Sequence, residues 1–357
     1  MLCLKDYEDY ASQTVDKKIW AFHSQGAERE ETLKQNVQSF TRFKIIPRLL
    51  RNTPTRDLRV TILGNEVALP FGIAPSAYQR LTHPDGEIAV SNAASEMGTI
   101  FTLSTVASTS LEDIARHQVR NTPLFMQFYV LKERKYTEEM IHRVEKCGYK
   151  ALVLTVDAPV IGLQYRLLRA NFRLPPHISA PNIADAIPKK RPANARNAEL
   201  YSDTVSWEDV DWIRRISKLP LILKGIVTVD DALEAVKHGV SGIWVSNHGG
   251  RQLDGIEATL EALPDIAAAL KGSGCEIYMD GGIRWGSDIF KALALGADFV
   301  FIGRPALWGL AHSGQEGVKR ILEILKSELD RTMHLAGCAS IKDISPHMVK
   351  KAHSSKI

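Results

Sequence analysis

The chain has 357 residues, 45% hydrophobic and 24% charged, with a formal net charge of +4. That balance fits a globular protein long enough to bury a core, and it excludes disordered, collagenous and disulfide-scaffold classes. Basic and acidic side chains, 45 against 41, are interleaved along the sequence, so no basic arm marks a nucleic-acid partner.

The opening MLCLKDYEDY turns acidic by Asp6, and no apolar run approaches the roughly 18 residues of a membrane span. Neither secretion nor a membrane partner is expected. Cys3, Cys147, Cys275 and Cys338 lie far apart with no C-x-x-C spacing, which predicts free thiols in a reducing compartment and no metal site. Residues 1–58 read as two or three helices. From Phe71 onward, short runs rich in β-branched residues alternate with amphipathic stretches, the pattern of βα units on a parallel sheet. The runs fall at 71–76, 99–104, 124–130, 151–157, 221–226, 242–247, 276–282 and 298–304. Ser206 with Glu208, and Thr228 with Asp230 and Asp231, stand where helix starts want capping hydroxyls and first-turn carboxylates.

Eight such units predict an α/β fold, a (β/α)8 TIM barrel. In ILGNEVAL, just before the first unit, Gly64-Asn65 between apolar runs predicts a small hairpin capping the barrel's lower end. After the last unit, GVKRILEILKSELDRTMHLAG reads as an amphipathic helix ending at Gly337. The expected organisation is one domain: helices and capping hairpin over 1–70, barrel over 71–337, tail over 338–357. Residues 158–205 form a long loop after strand four whose Pro, Asn, Ala and Lys content predicts a mobile lid.

Active sites of this fold sit at the carboxyl ends of the strands, where polar side chains need a reason. Here Ser104 ends strand two, Gln127 and Tyr129 strand three, Thr155 and Asp157 strand four, and Lys224 stands near the end of strand five. SNHGGRQLDG follows strand six, and strands seven and eight end in Asp280-Gly281-Gly282 and Gly303-Arg304. Glycine turns that open helices expose N–H groups suited to a phosphate, with Arg284 and Arg304 adding charge. Lys224, buried midway round the barrel, wants an anionic partner.

With SNHGGRQLDG, LTVDAP, ILKGI, DGGIR and KALALGA in view, the chain resembles the FMN-dependent 2-hydroxy acid oxidase and dehydrogenase family over almost its whole length. The resemblance implies FMN held by Pro75, Ser76, Ala77, Ser104, Gln127, Thr155, Lys224 and Ser246, with Asp280, Gly281, Gly282, Arg284, Gly303 and Arg304 at ribityl and phosphate. It implies His248 as base, Asp157 as its partner, Arg251 as carboxylate clamp and Tyr129 as a hydrogen bond to substrate. These roles suit the chemistry: oxidising a 2-hydroxy acid needs a base of near-neutral pKa, and arginine grips a carboxylate bidentately.

Three positions depart from the family's short-chain pattern. Phe22 replaces a substrate-binding tyrosine, Val106 replaces a tryptophan narrowing the pocket, and Gln164 replaces a second carboxylate-neighbouring arginine, with Arg166 and Arg169 close enough to substitute. The expectation is a wider, greasier pocket taking medium- or long-chain or aromatic (S)-2-hydroxy acids, with dioxygen as acceptor and hydrogen peroxide as product. The alternatives are a dehydrogenase using another acceptor and a weakened FMN-binding barrel. The resemblance also implies a homotetramer. The ending Ser355-Lys356-Ile357 is close to the S-K-L address read by the peroxisomal import receptor; if that signal is unused, the expected location is the cytoplasm.

Overall fold

A computed structural model describes residues 1–188 and 197–352, and among them eight parallel strands close into a barrel. In chain order the barrel strands are Phe71–Ile73, Phe101–Leu103, Leu124–Phe128, Ala151–Thr155, Leu221–Ile226, Gly242–Val245, Glu276–Met279 and Phe299–Ile302. All eight were legible because a parallel strand is buried on both faces and therefore reads as a continuous apolar run. Most are shorter than the apolar runs, since the last polar residues of each run turn out of the ladder and face the carboxyl-terminal end.

Inside the barrel, Ile100, Phe125, Val153, Ile222, Trp244, Tyr278, Phe299 and Phe301 form a buried layer. Trp244 and Phe301 stack there with ring centroids 3.8 Å apart. The predicted hairpin pairs Val60–Ile62 with Asn65–Val67 and adds Ile62 and Val67 to this layer. Leu63 N–H donates to Glu276 at the start of strand seven, which fixes the hairpin at the amino-terminal end. Its turn is Leu63-Gly64, both left-handed, one residue earlier than the Gly-Asn reading. The Asn65 amide bonds back to the Ile62 and Leu63 carbonyls and steadies it.

Three amino-terminal helices, Leu4–Thr14, Lys17–Ser24 and Glu31–Gln38, precede the barrel. The last of them is tied to the strand-six loop, where Asp254 accepts N–H bonds from Arg29, Glu31 and Thr32. The closing helix runs Arg304–Ala336, breaks its helical backbone at Ser313-Gly314 and stops at left-handed Gly337 as expected. A short antiparallel pair, Phe43–Ile45 with Val349–Lys351, joins the two ends of the chain; nothing in the sequence pattern announced it.

The segment after strand four differs from its reading as a mobile loop in its described parts. It contains helix Tyr165–Arg169 and helical turns at Pro181–Ala186 and Asn197–Leu200. Ile178, Ala180, Ile183 and Tyr201 are buried against Tyr78, Leu81, Val106 and Leu131. Asn182 accepts from Leu111 N–H at 2.8 Å and donates to the Thr109 carbonyl. These apolar contacts are too widely spaced in sequence to show a period. The tail tripeptide Ser355-Lys356-Ile357 lies outside the described residues.

Candidate active site

The carboxyl ends of the strands surround a cavity of about 180 Å³. Of the residues assigned to cofactor, catalysis or the substrate pocket, all but Asp157, Gln164 and Ser246 line it. Those three stand one contact behind the wall. His248 Nδ1 lies 2.7 Å from Asp157 Oδ1, and Ser246 bridges Lys224 and Asp280.

His248 sits in a turn with φ of 58°, followed by Gly249 at 64° and Gly250 at 73°. A left-handed histidine costs energy and persists only where its surroundings hold it, a recurring mark of functional sites. Here the hold is explicit: His248 N–H donates to Ser246 Oγ, and Asn247 exchanges a pair of 2.8 Å amide bonds with Asn36. Asp157 is pressed close by Gly225, whose φ is 113°. A Cβ at Gly225 would fall 2.6 Å from Asp157 Cβ and 2.8 Å from its Cγ. The second carboxylate oxygen, Asp157 Oδ2, is buried with no hydrogen-bond partner among the described residues.

The chain itself supplies an anionic partner for Lys224, whose Nζ lies 3.0 Å from Asp280 Oδ2 and 2.8 Å from Ser246 Oγ. The carboxylate comes from strand seven, 56 residues on. Gln127 donates to Thr155 Oγ1 at 3.0 Å and accepts from Thr105 N–H, which holds its amide across the cavity wall. Tyr129 stacks on Tyr201 at 4.1 Å, and burial together with the nearby Asp157 charge pushes its hydroxyl well above the ordinary range.

The cationic wall is different. Burial holds Arg251 down at about 10 and Arg304 at about 9, the latter also repelled by Arg251 and Arg284. Burial lowers Arg284 as well. Among the described residues none of the three is salt-bridged. Arg251 Nη1 donates to the Phe22 carbonyl, Arg304 donates to the carbonyls of His23, Gly249 and Gln25, and Arg284 to that of Ile283. Carbonyl dipoles orient a guanidinium without cancelling its charge, so the cavity is built for anions.

The glycines divide into two kinds. Gly282 has φ of 83°, and a Cβ there would lie 2.0 Å from the Asn36 carbonyl, so it serves the approach of the third helix. Gly303 has an ordinary φ of −106° and caps the start of the closing helix. A Cβ on it would meet nothing within 4 Å, so the missing side chain leaves ligand space at a helix amino terminus, where a phosphate is favoured. FMN, with one phosphate and a ring needing polar edges, fits this donor set.

Gln164 does not reach the cavity. Its amide bonds to Gln25 and to the Arg251 carbonyl. Nor do its neighbours substitute: Arg166 pairs with Glu30 at 2.8 Å, and Arg169 lies over the Tyr165 ring.

Sequence reading missed His23, which lines the cavity with its Nε2 3.1 Å from Thr82 Oγ1. Burial, then the charges of Arg251 and Arg304, lower it from 6.5 to about 3. The unfolded chain therefore binds a proton below pH 6.5 that the folded chain refuses until about pH 3. Stability contributed by this group is present above pH 6.5 and is lost as pH falls, with a slope approaching about 1.4 kcal/mol per pH unit. His23→Gln should flatten the acid limb of a denaturant-midpoint series between pH 6 and 4 by about that slope. An unchanged limb would mean that His23 titrates normally.

A barrel with a histidine–carboxylate pair, a buried lysine and an anion-binding arginine wall defines a class, the flavin-dependent oxidoreductases of organic acids. The chain belongs to the FMN-dependent dehydrogenase family, whose profile matches residues 11–351. It is 42% identical over 360 residues to 2-hydroxyacid oxidase 1 of Homo sapiens, covering 98% of this chain and 97% of the relative. It is 41% identical over 348 residues to the glycolate oxidase of Spinacia oleracea, with 96% and 94% covered. A solved structure of mandelate oxidase with benzoyl-formic acid matches at a TM-score of 0.89 and 39% identity, with 98% of both chains covered.

Proposed function

We propose that this protein is an (S)-2-hydroxy acid oxidase whose preferred substrates are medium- or long-chain or aromatic acids. FMN-dependent oxidation of 2-hydroxy acids follows from the family; the residue roles and the substrate preference are our reading. The observation that carries it is the His248–Asp157 pair opening on the same cavity as Arg251.

His248 Nδ1 is bound to Asp157, which leaves Nε2 as the atom that takes the proton from the substrate hydroxyl. The carboxylate beside it stabilises the imidazolium so formed. Arg251 receives the substrate carboxylate on the N–H groups not given to the Phe22 carbonyl, and Tyr129 donates its hydroxyl proton, which its raised pKa keeps in place. FMN, when bound, would supply the acceptor for the hydrogen and electron pair of the substrate's C–H bond; those two electrons, that hydrogen and the proton held by His248 together would reduce dioxygen to hydrogen peroxide. Lys224 would stand at the polar edge of the flavin ring, and Asp280, Arg284, Arg304 and the turn at Gly303 would hold ribityl and phosphate.

Amino-terminal Phe22 and His23 complete the barrel's cavity, which favours treating 1–70, 71–337 and 338–357 as one functional unit. The ending Ser355-Lys356-Ile357 supports a peroxisomal address and a link to its import receptor, a suitable place for a peroxide producer. The family resemblance supports a homotetramer.

Substrate preference rests on Val106 and Phe22. Val106 lines the cavity where a tryptophan would fill it, and Phe22, stacked on Phe172 at 5.0 Å, presents no hydroxyl to a small polar acid. Each buried methylene contributes about 0.8 kcal/mol, so two or three extra carbons should raise kcat/KM roughly ten- to hundredfold. The expected order places 2-hydroxyoctanoate and mandelate above glycolate, and Val106→Trp should reverse it. A wild-type preference for glycolate would refute the assignment of specificity to these two side chains.

A further inference from the structure

Two of the cavity's arginines share one main-chain acceptor. The carbonyl of Gln25, the residue closing helix Lys17–Ser24, accepts from Arg304 Nη2 at 2.8 Å and from Arg251 Nη1 at 3.5 Å. The Gln25 side chain is fully buried. Its Oε1 accepts from Leu167 N–H at 3.0 Å and its Nε2 donates to Gln164 Oε1 at 3.1 Å. Gln164 Nε2 in turn donates to the Arg251 carbonyl at 3.3 Å. Gln25, Gln164 and Arg251 thus close a ring of hydrogen bonds, and Arg304 is attached to it at the Gln25 carbonyl.

We infer that Gln25 is a positioning residue that sets where the charges of Arg251 and Arg304 stand, and that Gln164 acts through it instead of on substrate. The inference rests on the phosphate and carboxylate roles proposed for Arg304 and Arg251. Neither glutamine lines the cavity, yet their amides tie the start of helix Tyr165–Arg169 to the end of helix Lys17–Ser24. A carboxylate partner would fix the two arginines and also neutralise them. A carbonyl held by a neutral amide ring fixes them and leaves both charges for ligands. Removing the Gln25 amide leaves Gln164 Oε1 and the Leu167 N–H without these partners in a buried place, and removing the Gln164 amide does the same to Gln25 Nε2, so the segment must shift. Displacements near 1 Å at a substrate-positioning group can cost up to about a hundredfold.

The test is Gln25→Leu, Gln164→Leu and the double variant. For each, the dissociation constant of FMN from the holoenzyme, the binding of 2-oxooctanoate seen as a perturbed flavin spectrum, and kcat and KM with 2-hydroxyoctanoate are measured. Gln25→Leu should raise KM and the 2-oxooctanoate dissociation constant by about tenfold, with kcat within about threefold. FMN should also bind about tenfold more weakly, a change that loss of a substrate contact alone would not produce. Gln164→Leu should shift KM in the same direction, and the double variant should be no worse than Gln25→Leu, since both act in one ring. Wild-type KM and FMN affinity in folded Gln25→Leu would overturn the inference, as would effects that multiply in the double variant. If Gln25→Leu fails to fold, Gln25→Asn, which keeps the amide and shortens its reach, takes the same measurements. If no 2-hydroxy acid is turned over by the wild type, the proposed function fails, while FMN affinity across the three variants still decides the positioning role.

Discussion

Replacing His248 by glutamine leaves a yellow protein whose flavin is bleached by 2-hydroxy acid at least about 10²-fold more slowly, the usual scale for deleting a general base. Cofactor retention is expected because the phosphate and ring contacts are assigned to Lys224, Asp280, Arg284, Gly303 and Arg304, not to His248. The fold should survive as well: glutamine is unbranched at Cβ like histidine, and the left-handed turn at 248 is braced by the Asn36–Asn247 amide pair. Rapid-mixing traces of both proteins provide the check. Bleaching by the glutamine variant at wild-type speed would remove His248 from its role as base.

The second large effect is expected at a glycine that never touches substrate. Gly225→Ala must hold φ of 113° and place a methyl 2.6–2.9 Å from the Cβ, Cγ and N of Asp157. An alanine cannot adopt that backbone without strain of about 1–3 kcal/mol, and the aspartate must move from His248. Loss of an orienting carboxylate leaves the imidazole free to take the wrong tautomer, so kcat should fall by about tenfold or more. Gly148→Ala is the control. Its φ is 78°, but a Cβ there meets nothing within 4 Å, so it should lose stability of similar size and keep its kcat. Equal kcat values for the two variants would show that Asp157 does not depend on Gly225.

Much of this site was legible in the sequence because its parts obey local rules. Strands buried on both faces show as apolar runs, so polar residues at their ends, such as Gln127, Thr155 and Lys224, stand out. The pairing of those residues was not legible. Lys224 looked like an isolated charge because Asp280 reaches it from two strands away, across strand Gly242–Val245, which lies between theirs in the barrel. His23 and Gln25 escaped for the same reason: they lie in and beside a short helix of ordinary composition, and only the tertiary fold brings it over the arginines. The strand-four segment misled in the opposite direction. Its polar composition suggested mobility, while a few scattered side chains, Ile178, Ile183 and Tyr201 among them, anchor its described parts. Gln164, a departure noticed at a single position, made sense only with Gln25 beside it.

One cavity is held to bring FMN, a base and a carboxylate clamp to bear on a 2-hydroxy acid. Anaerobic addition of 2-hydroxyoctanoate to the purified holoenzyme tests this most directly, with octanoate, which lacks the hydroxyl, as the comparison. The expected result is full bleaching of one FMN per chain by the hydroxy acid and none by octanoate, with peroxide released when air is admitted. A flavin that stays oxidised in the presence of the 2-hydroxy acids tested, or a protein that binds no FMN, would contradict it.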